Sequence, residues 1–255
     1  MAKQSNSVSD LRGYGRLGVE AAVGVTDIVE RMHMDVLDTP GPFGVAARAL
    51  TGGVTAFVYR AVRGAMRLGG AGLDLVLAQV QQSADAPSSP KRDRVLAALN
   101  GVLGDHLAET GNPLALPMRL RFDDGRVLPD GRDAIAAAIP QASGRLVVLV
   151  HGLCMSDLQW RRGDHDYGAA LARRFACTPL SLFYNSGLHI SLNGRAFADQ
   201  LERLLARWPV PVEDIVVIGH SMGGLVARSA CHYGDEAGHA WRRKLSRLIF
   251  LGTPH

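Results

Sequence analysis

The chain of 255 residues contains only three cysteines and three lysines. Cys154, Cys177 and Cys231 are odd in number and widely spaced, so they predict neither a disulfide framework nor a zinc site, as is typical of a reducing compartment. Arginine carries most of the positive charge, but the net charge is only +4, and aromatic residues make up 6% of the chain. Because no basic cluster interleaved with aromatics occurs, nucleic acid is not an expected partner.

Long hydrophobic runs are also missing. No stretch of about 18 uncharged apolar residues occurs, so the sequence predicts no transmembrane helix. The first fifteen residues lack the apolar segment of a secretory signal peptide. We therefore expect a cytoplasmic protein. If it associates with a membrane, we expect peripheral contact at the inner membrane surface.

The N-terminal third differs in composition from the rest. Residues 1 to 82 predict a helical segment, with helices at about 11 to 36 and 44 to 80. In the second helix an apolar face lies opposite a stripe formed by Arg60, Arg63 and Arg67. Such a helix can contact an anionic membrane surface, although packing against another helix or the rest of the protein is the commoner use of such a face. Residues 83 to 90, rich in Ser and Pro, predict a linker.

Residues 91 to 255 alternate between strand and helix patterns, which predicts an α/β fold with a mostly parallel sheet and helices on both faces. An Asp-Asp-Gly turn favours a hairpin between the first two strands. Asn193 is the predicted cap of a helix that ends near Pro209. The predicted strands are 116 to 122, 126 to 128, 145 to 150, 179 to 184, 214 to 219 and 247 to 251, and the predicted helices are 91 to 103, 167 to 175, 194 to 208 and 225 to 233.

The hexapeptide GHSMGG lies between a predicted buried strand and a predicted helix. A serine hydroxyl is a weak nucleophile at neutral pH, and acyl-transfer enzymes place it on a strained strand-to-helix turn of this pattern. Ser221 is therefore the candidate nucleophile. The turn is supported by the small residues around it and by its neighbouring histidine, which are Gly219, His220, Gly223 and Gly224.

A second motif, RLVVLVHGLC, follows an earlier buried strand. A transition-state oxyanion needs two backbone N–H donors, one from the residue after the nucleophile and one from a loop after another strand. Met222 and Leu153 are the candidates for this oxyanion hole. We interpret His151 and Gly152 as residues that shape the loop, and Cys154 as a packing residue.

The segments VVLVHGL, FYNSG, VVIGHSMGGLVAR and LIFLGTPH resemble the lipase and esterase branch of the α/β-hydrolase superfamily. Within it, the chain is most similar to bacterial serine esterases related to the PGAP1-like (GPI inositol-deacylase) and DUF676 groups. The resemblance covers about residues 115 to 255. It implies that Ser221 is the nucleophile and that Leu153 and Met222 form the oxyanion hole.

The same resemblance implies that the triad acid and base lie beyond residue 255, because members usually continue with a strand that bears an Asp or Glu and later the His. Asp235 and Glu236 follow Ser221 too closely for the order Ser, acid, His. His255 matches a family histidine that is not the base. We therefore expect this chain to be a fragment or truncated form that holds the N-terminal part of the hydrolase domain and lacks its last strands.

No metal or cofactor is expected. Asp164, His165 and Asp166 are adjacent in a loop and lack the spacing that directs side chains to one ion. Arg161 and Arg162 could contact an anionic headgroup, but they are more typical of a solvated surface.

The sequence thus predicts a serine hydrolase of carboxylic esters, with a lipid-like or other apolar acyl substrate, that acts through an acyl-enzyme on Ser221. The alternative is a non-catalytic or truncated hydrolase-like protein that serves as a membrane-surface or scaffold module, because a chain without the triad acid and base would be inactive by itself.

Overall fold

The computed structural model describes residues 90–254. The predicted N-terminal helices, the basic stripe within residues 44 to 80, most of the predicted linker and His255 lie outside the described residues. Within residues 90–254, no helix combines the length and the apolar character that a membrane crossing requires.

The described part is built on a five-stranded sheet. Its strands are β1 (Arg119–Arg121), β2 (Arg145–Val150), β5 (Thr178–Phe183), β6 (Asp214–His220) and β7 (Leu245–Leu251). Their order is β1-β5-β2-β6-β7, and only β1 runs antiparallel to its neighbour. A separate two-stranded ribbon joins β3 (Arg161–Arg162) to β4 (His165–Asp166). The predicted mostly parallel sheet is therefore confirmed.

Helices cover both faces of this sheet. They are α1 (Pro90–Glu109), α2 (Arg132–Ala138), α3 (Tyr167–Phe175), α4 (Ile190–Arg207) and α5 (Met222–Glu236), with short 3-10 helices at Asp157–Trp160 and Ala240–Lys244. The larger apolar core packs α2, α4 and α5 on one face, where Phe197 and Val226 are fully buried. A smaller cluster around Leu149 and Trp160 packs Leu171 of α3 on the other face. Because β-branched and leucine side chains of β2 and β6 point to both faces, these strands are buried on both sides.

Helix α1 packs on loops at the carboxyl edge of the sheet. Its backbone leaves helical geometry at Leu103, between Gly101 and Gly104, two residues of low helix propensity. A Cβ on Gly101 would lie 2.7 Å from the Cα of Cys154, and one on Gly104 would overlap the side chain of Asn185. The absence of these side chains lets the helix backbone lie directly against the loops that follow β2 and β5.

The turn and the antiparallel pairing of the predicted hairpin are confirmed, but β1 is shorter than predicted and the predicted strand 126 to 128 is a single bridge from Val127 to Arg121. Phe122 N–H donates to the Arg126 carbonyl at 2.9 Å, and Gly125 takes a φ of 86° in the turn. The predicted cap at Asn193 is wrong. Helix α4 begins one turn earlier, where the His189 ring accepts from the Ser191 N–H. Helix α2 and the β3–β4 ribbon were not predicted, because short segments carry little periodicity.

Candidate active site

The turn between β6 and α5 holds Ser221 in a strained conformation. Its φ of 51° and ψ of −126° are unusual for a residue with a side chain. Such strain persists only where the surrounding structure enforces it, and it occurs often at functional sites. The Ser221 N–H donates to the Leu251 carbonyl at 2.8 Å, so the end of β7 also holds the turn.

Three glycines of the hexapeptide are required by close contacts. A Cβ on Gly219 would lie 2.5 Å from the Cα of Gly224, and one on Gly223 would lie 2.5 Å from the His151 carbonyl oxygen. A Cβ on Gly224 would lie 2.8 Å from the Phe250 ring. The glycines therefore let β6, α5 and the end of β2 approach each other around Ser221, as the sequence pattern predicts.

The loop 151–154 lies against the serine. A Cβ on Gly152 would be 3.2 Å from the Ser221 Cβ and 3.3 Å from the His220 Nδ1, which is tighter than ordinary packing. Leu153 follows in this loop, while Met222 is the first residue of α5, where the N–H groups have no partner within the helix. The structure thus places the residues of both sequence motifs at one point of the carboxyl edge. Their assignment as oxyanion donors stays a prediction.

His151 is fully buried and stacks on Tyr184 with ring centroids 4.3 Å apart. Its Nδ1 lies 2.9 Å from the Gly152 carbonyl, which can only accept, so Nδ1 carries the proton of the neutral ring. Within residues 90–254 its Nε2 has no partner. Burial lowers the pKa of His151 from 6.5 to about 4, and the positive charge of Arg121 contributes. A neutral, enclosed ring fits the interpretation that His151 shapes the loop.

His220 precedes the nucleophile and is partly exposed. Burial lowers its pKa, and the nearby charge of Arg162 lowers it further. Its Nδ1 has no hydrogen-bond partner among the residues that the structure describes. The ring is therefore held neutral close to the turn.

The acidic residues at the end of α5 do not approach the serine. Asp235 and Arg242 form a bidentate pair at 2.9 and 3.0 Å, which lowers the pKa of the Asp235 carboxyl. Asp235 lies at the opposite end of α5 from Ser221, a distance of about 20 Å along a regular helix. In the part of the chain described, no histidine or carboxylate hydrogen-bonds the Ser221 Oγ.

The polar loop before α3 has a structural explanation. Asp166 accepts from the Ala169 N–H at 2.9 Å and so caps the helix, and its other oxygen pairs with Arg161 at 3.0 Å. His165 meets the Tyr167 ring edge-on. Across residues 90–254, no group of three or more His, Cys, Asp or Glu side chains could hold a metal ion.

Two features near the site were missed by the sequence reasoning. Tyr184 and Ser186, which flank Asn185 in the FYNSG segment, both hydrogen-bond the backbone of the loop 151–154. Arg121 forms a buried pair with Asp157 at 3.4 Å and stacks 3.6 Å above the Phe183 ring. The first segment was visible in the sequence as a motif, but nothing in its pattern indicated which backbone atoms it would hold.

Comparison with known proteins found one matching family model and two similar solved structures, each over part of the chain. A family model described as the PGAP1-like alpha/beta domain matches residues 189–255. The solved structure of the Bacillus licheniformis lipase BlEst2 in its mature form aligns at 24% identity, over 43% of this chain and 40% of that chain, with a TM-score of 0.35. Its propeptide form aligns at 26% identity, over 43% of this chain and 22% of that chain, with a TM-score of 0.34.

The aligned region thus spans less than half of either lipase chain. A search among curated proteins found no match. The sheet order, the strained turn after β6 and the matching family model agree with each other. The described part of the chain has the α/β-hydrolase fold, and its residues 189–255 are similar to the PGAP1-like alpha/beta domain.

Proposed function

We propose that the protein is a serine hydrolase of carboxylic esters, with Ser221 as its nucleophile. The observation that carries this proposal is the positive φ of Ser221 on a turn enclosed by glycine contacts. A serine in this conformation presents its hydroxyl outward at the carboxyl edge of the sheet, where an ester can reach it. The similarity of residues 189–255 to the PGAP1-like alpha/beta domain supports the same reaction class.

In the proposed reaction, the Ser221 Oγ attacks the ester carbonyl carbon and loses its proton. The Leu153 and Met222 N–H groups donate to the oxyanion of the tetrahedral intermediate. Collapse of this intermediate breaks the bond to the alcohol oxygen, which takes up the proton that Ser221 lost and leaves as the neutral alcohol, so that the acyl group stays on Ser221. Water then attacks the acyl carbonyl, which releases the carboxylic acid and restores the hydroxyl. The acid and base of the triad are not assigned among residues 90–254.

The substrate that we propose is an ester with a lipid-like or other apolar acyl group. Leu192, which lies in the first turn of α4 after the carboxyl end of β5, is 57% exposed. Apolar side chains that remain exposed around a carboxyl-edge site favour apolar ligands. Hydrolysis rates for p-nitrophenyl acetate and p-nitrophenyl octanoate measure this preference directly.

The nucleophile is tested by covalent labelling with a fluorophosphonate probe. For the complete protein, we expect Ser221 to be labelled and the Ser221→Ala variant to lose both the label and ester hydrolysis. Ser246→Ala is the matched control, since Ser246 is an exposed serine on β7. Labelling that persists at the same peptide in Ser221→Ala would refute the assignment.

The same purified protein distinguishes the enzyme from the alternative that the sequence leaves open, a non-catalytic module that binds membrane surfaces. Co-sedimentation with anionic vesicles, without labelling of Ser221 and without hydrolysis of either ester, would favour the alternative. Hydrolysis without vesicle binding would favour the enzyme.

A further inference from the structure

The loop 151–154 is the part of the site whose conformation has to be most accurate, if the proposed function is correct. It carries the Leu153 N–H, and its Gly152 touches the turn that bears Ser221. An oxyanion donor is effective only when its N–H points to the position of the developing charge, at about 2.7 to 3.1 Å. Whatever fixes this loop therefore affects the transition state without touching the substrate.

Two hydroxyl groups from the end of β5 bracket Leu153. The Tyr184 hydroxyl donates to the His151 carbonyl at 2.7 Å, two residues before Leu153. The Ser186 Oγ accepts from the Cys154 N–H at 3.0 Å, one residue after it. Both side chains are almost completely buried, so solvent does not compete for these hydrogen bonds.

The hydrogen bond from Cys154 holds a strained residue. Cys154 has a φ of 57°, a left-handed conformation that is costly for a residue with a Cβ. Gly101 of α1 also packs against Cys154, where a Cβ would lie 2.8 Å from the Cys154 nitrogen. The loop is thus enclosed between the end of β5 and the backbone of α1.

We propose that Tyr184 and Ser186 are positioning residues, which hold the loop 151–154 so that the Leu153 N–H points at the oxyanion. Ser186 has the more direct effect, because its hydrogen bond fixes the strained residue next to Leu153. Tyr184 fixes the start of the loop and also supports the His151 ring by stacking. This role rests on the proposed function and adds two residues to it that do not contact the reacting atoms.

The test compares Ser186→Ala and Tyr184→Phe with the unsubstituted full-length protein. Both changes remove one hydroxyl and leave the shape of the side chain nearly unchanged, and Tyr184→Phe also keeps the stacking on His151. Ser181→Ala is the matched control, since Ser181 is a buried serine of β5 that lines the cavity beside Leu149 and Trp160.

We expect kcat for ester hydrolysis to fall about 10- to 100-fold in Ser186→Ala, the size expected for a displacement of about 1 Å in a catalytic site. KM should change less than about twofold, because the oxyanion forms after substrate binding. Amide exchange measured by mass spectrometry should become faster in the peptide that contains Cys154. The control should match the unsubstituted protein in all three measurements.

The unsubstituted protein distinguishes a failure of the proposed function from a failure of the positioning role. If Ser221 is not labelled by the fluorophosphonate and no ester is hydrolysed, the proposed function is wrong and this role is overturned with it. If Ser221 is labelled and esters are hydrolysed, an unchanged kcat in both Ser186→Ala and Tyr184→Phe overturns the positioning role alone. An equal fall of kcat in Ser181→Ala would also overturn the positioning role, since a general loss of packing would then be the cause.

Discussion

His151 shows how the protein interior changes the chemistry of one side chain. Its ring is enclosed, stacked on Tyr184 and supplied with a single acceptor, the Gly152 carbonyl. Protonation would create an N–H at Nε2 that has no partner among residues 90–254, and a buried donor without a partner is costly. The lowered pKa of His151 is therefore a direct consequence of the buried position of the loop 151–154.

This burial predicts a loss of stability in acid. Because the pKa of His151 is about 4 in the folded protein and 6.5 for an exposed histidine, the unfolded state binds more protons between these values. The free energy of unfolding should therefore decrease as the pH falls from about 6.5 to about 4, by up to about 3 kcal/mol from this group. Urea unfolding across this pH range measures the effect.

His151→Asn is the informative variant, since Asn does not titrate. Its free energy of unfolding should change less with pH over the same interval, whatever its value at pH 7. His220, whose pKa is also lowered, is present in both proteins, so the comparison isolates the change made at His151. An identical pH dependence in the variant and the unsubstituted protein would show that His151 is not the group responsible.

At the scale of elements, the packing of α1 against the neighbouring loops depends on two glycines, Gly101 and Gly104. A Cβ on Gly104 would be 2.7 Å from Cγ of Asn185, and the Asn185 Nδ2 donates to the Gly104 carbonyl at 2.9 Å. The Asn185 carbonyl in turn accepts from Asn193 of α4 at 2.9 Å. One asparagine thus joins the helix before the sheet to the helix after β5.

This contact predicts a non-additive pair of substitutions. Gly104→Ala should lower the free energy of unfolding by about 1 to 3 kcal/mol, because the methyl group overlaps Asn185 in a closely packed region. In an Asn185→Ala background the overlap is absent, and we expect the cost of Gly104→Ala to decrease by about 1 to 2 kcal/mol. Urea unfolding of the four proteins measures the coupling, and additive effects would contradict the packing described.

The elements that sequence predicted best are those with long and regular apolar patterns. The strand at β2 was predicted within its observed bounds, Arg145–Val150, and α3 was predicted at Tyr167–Phe175. Asn193 was misplaced because an asparagine at the start of a helix has two uses. It can cap the helix, as predicted, or donate to a preceding loop, as it does to the Leu188 and Asn185 carbonyls.

Only part of the candidate site could be predicted from the sequence. The glycines around Ser221 were identified because a turn of this kind has a fixed spacing in the sequence. The hydrogen bonds of Tyr184 and Ser186 were not, because they join residues more than 30 positions apart, and no local pattern records them. Long-range contacts of polar side chains therefore remain the part that only the folded structure provides.

For the whole molecule, the location of charge leads to one further prediction. We propose that the predicted helix at residues 44 to 80 contacts anionic membranes through Arg60, Arg63 and Arg67. The full-length protein should then co-sediment with phosphatidylglycerol vesicles at low salt and less so at high salt, because salt screens exposed charges. Replacement of the three arginines by glutamate should abolish the binding.

The matched control reverses three exposed arginines within the described residues, Arg173, Arg174 and Arg203. It changes the net charge by the same amount, so an equal loss of vesicle binding in both variants would indicate a general effect of charge. An absence of vesicle binding by the unsubstituted protein at low salt would contradict the proposal.

The hydrogen bond between the Ser221 N–H and the Leu251 carbonyl has a consequence for biosynthesis. Leu251 follows Ser221 by thirty residues, so the ribosome releases the serine turn well before the strand that holds it. Pairing across such a separation requires closure of the intervening chain around α5. A nascent chain therefore carries the complete GHSMGG motif for a time without the hydrogen bond that the Leu251 carbonyl supplies once β7 has joined the sheet.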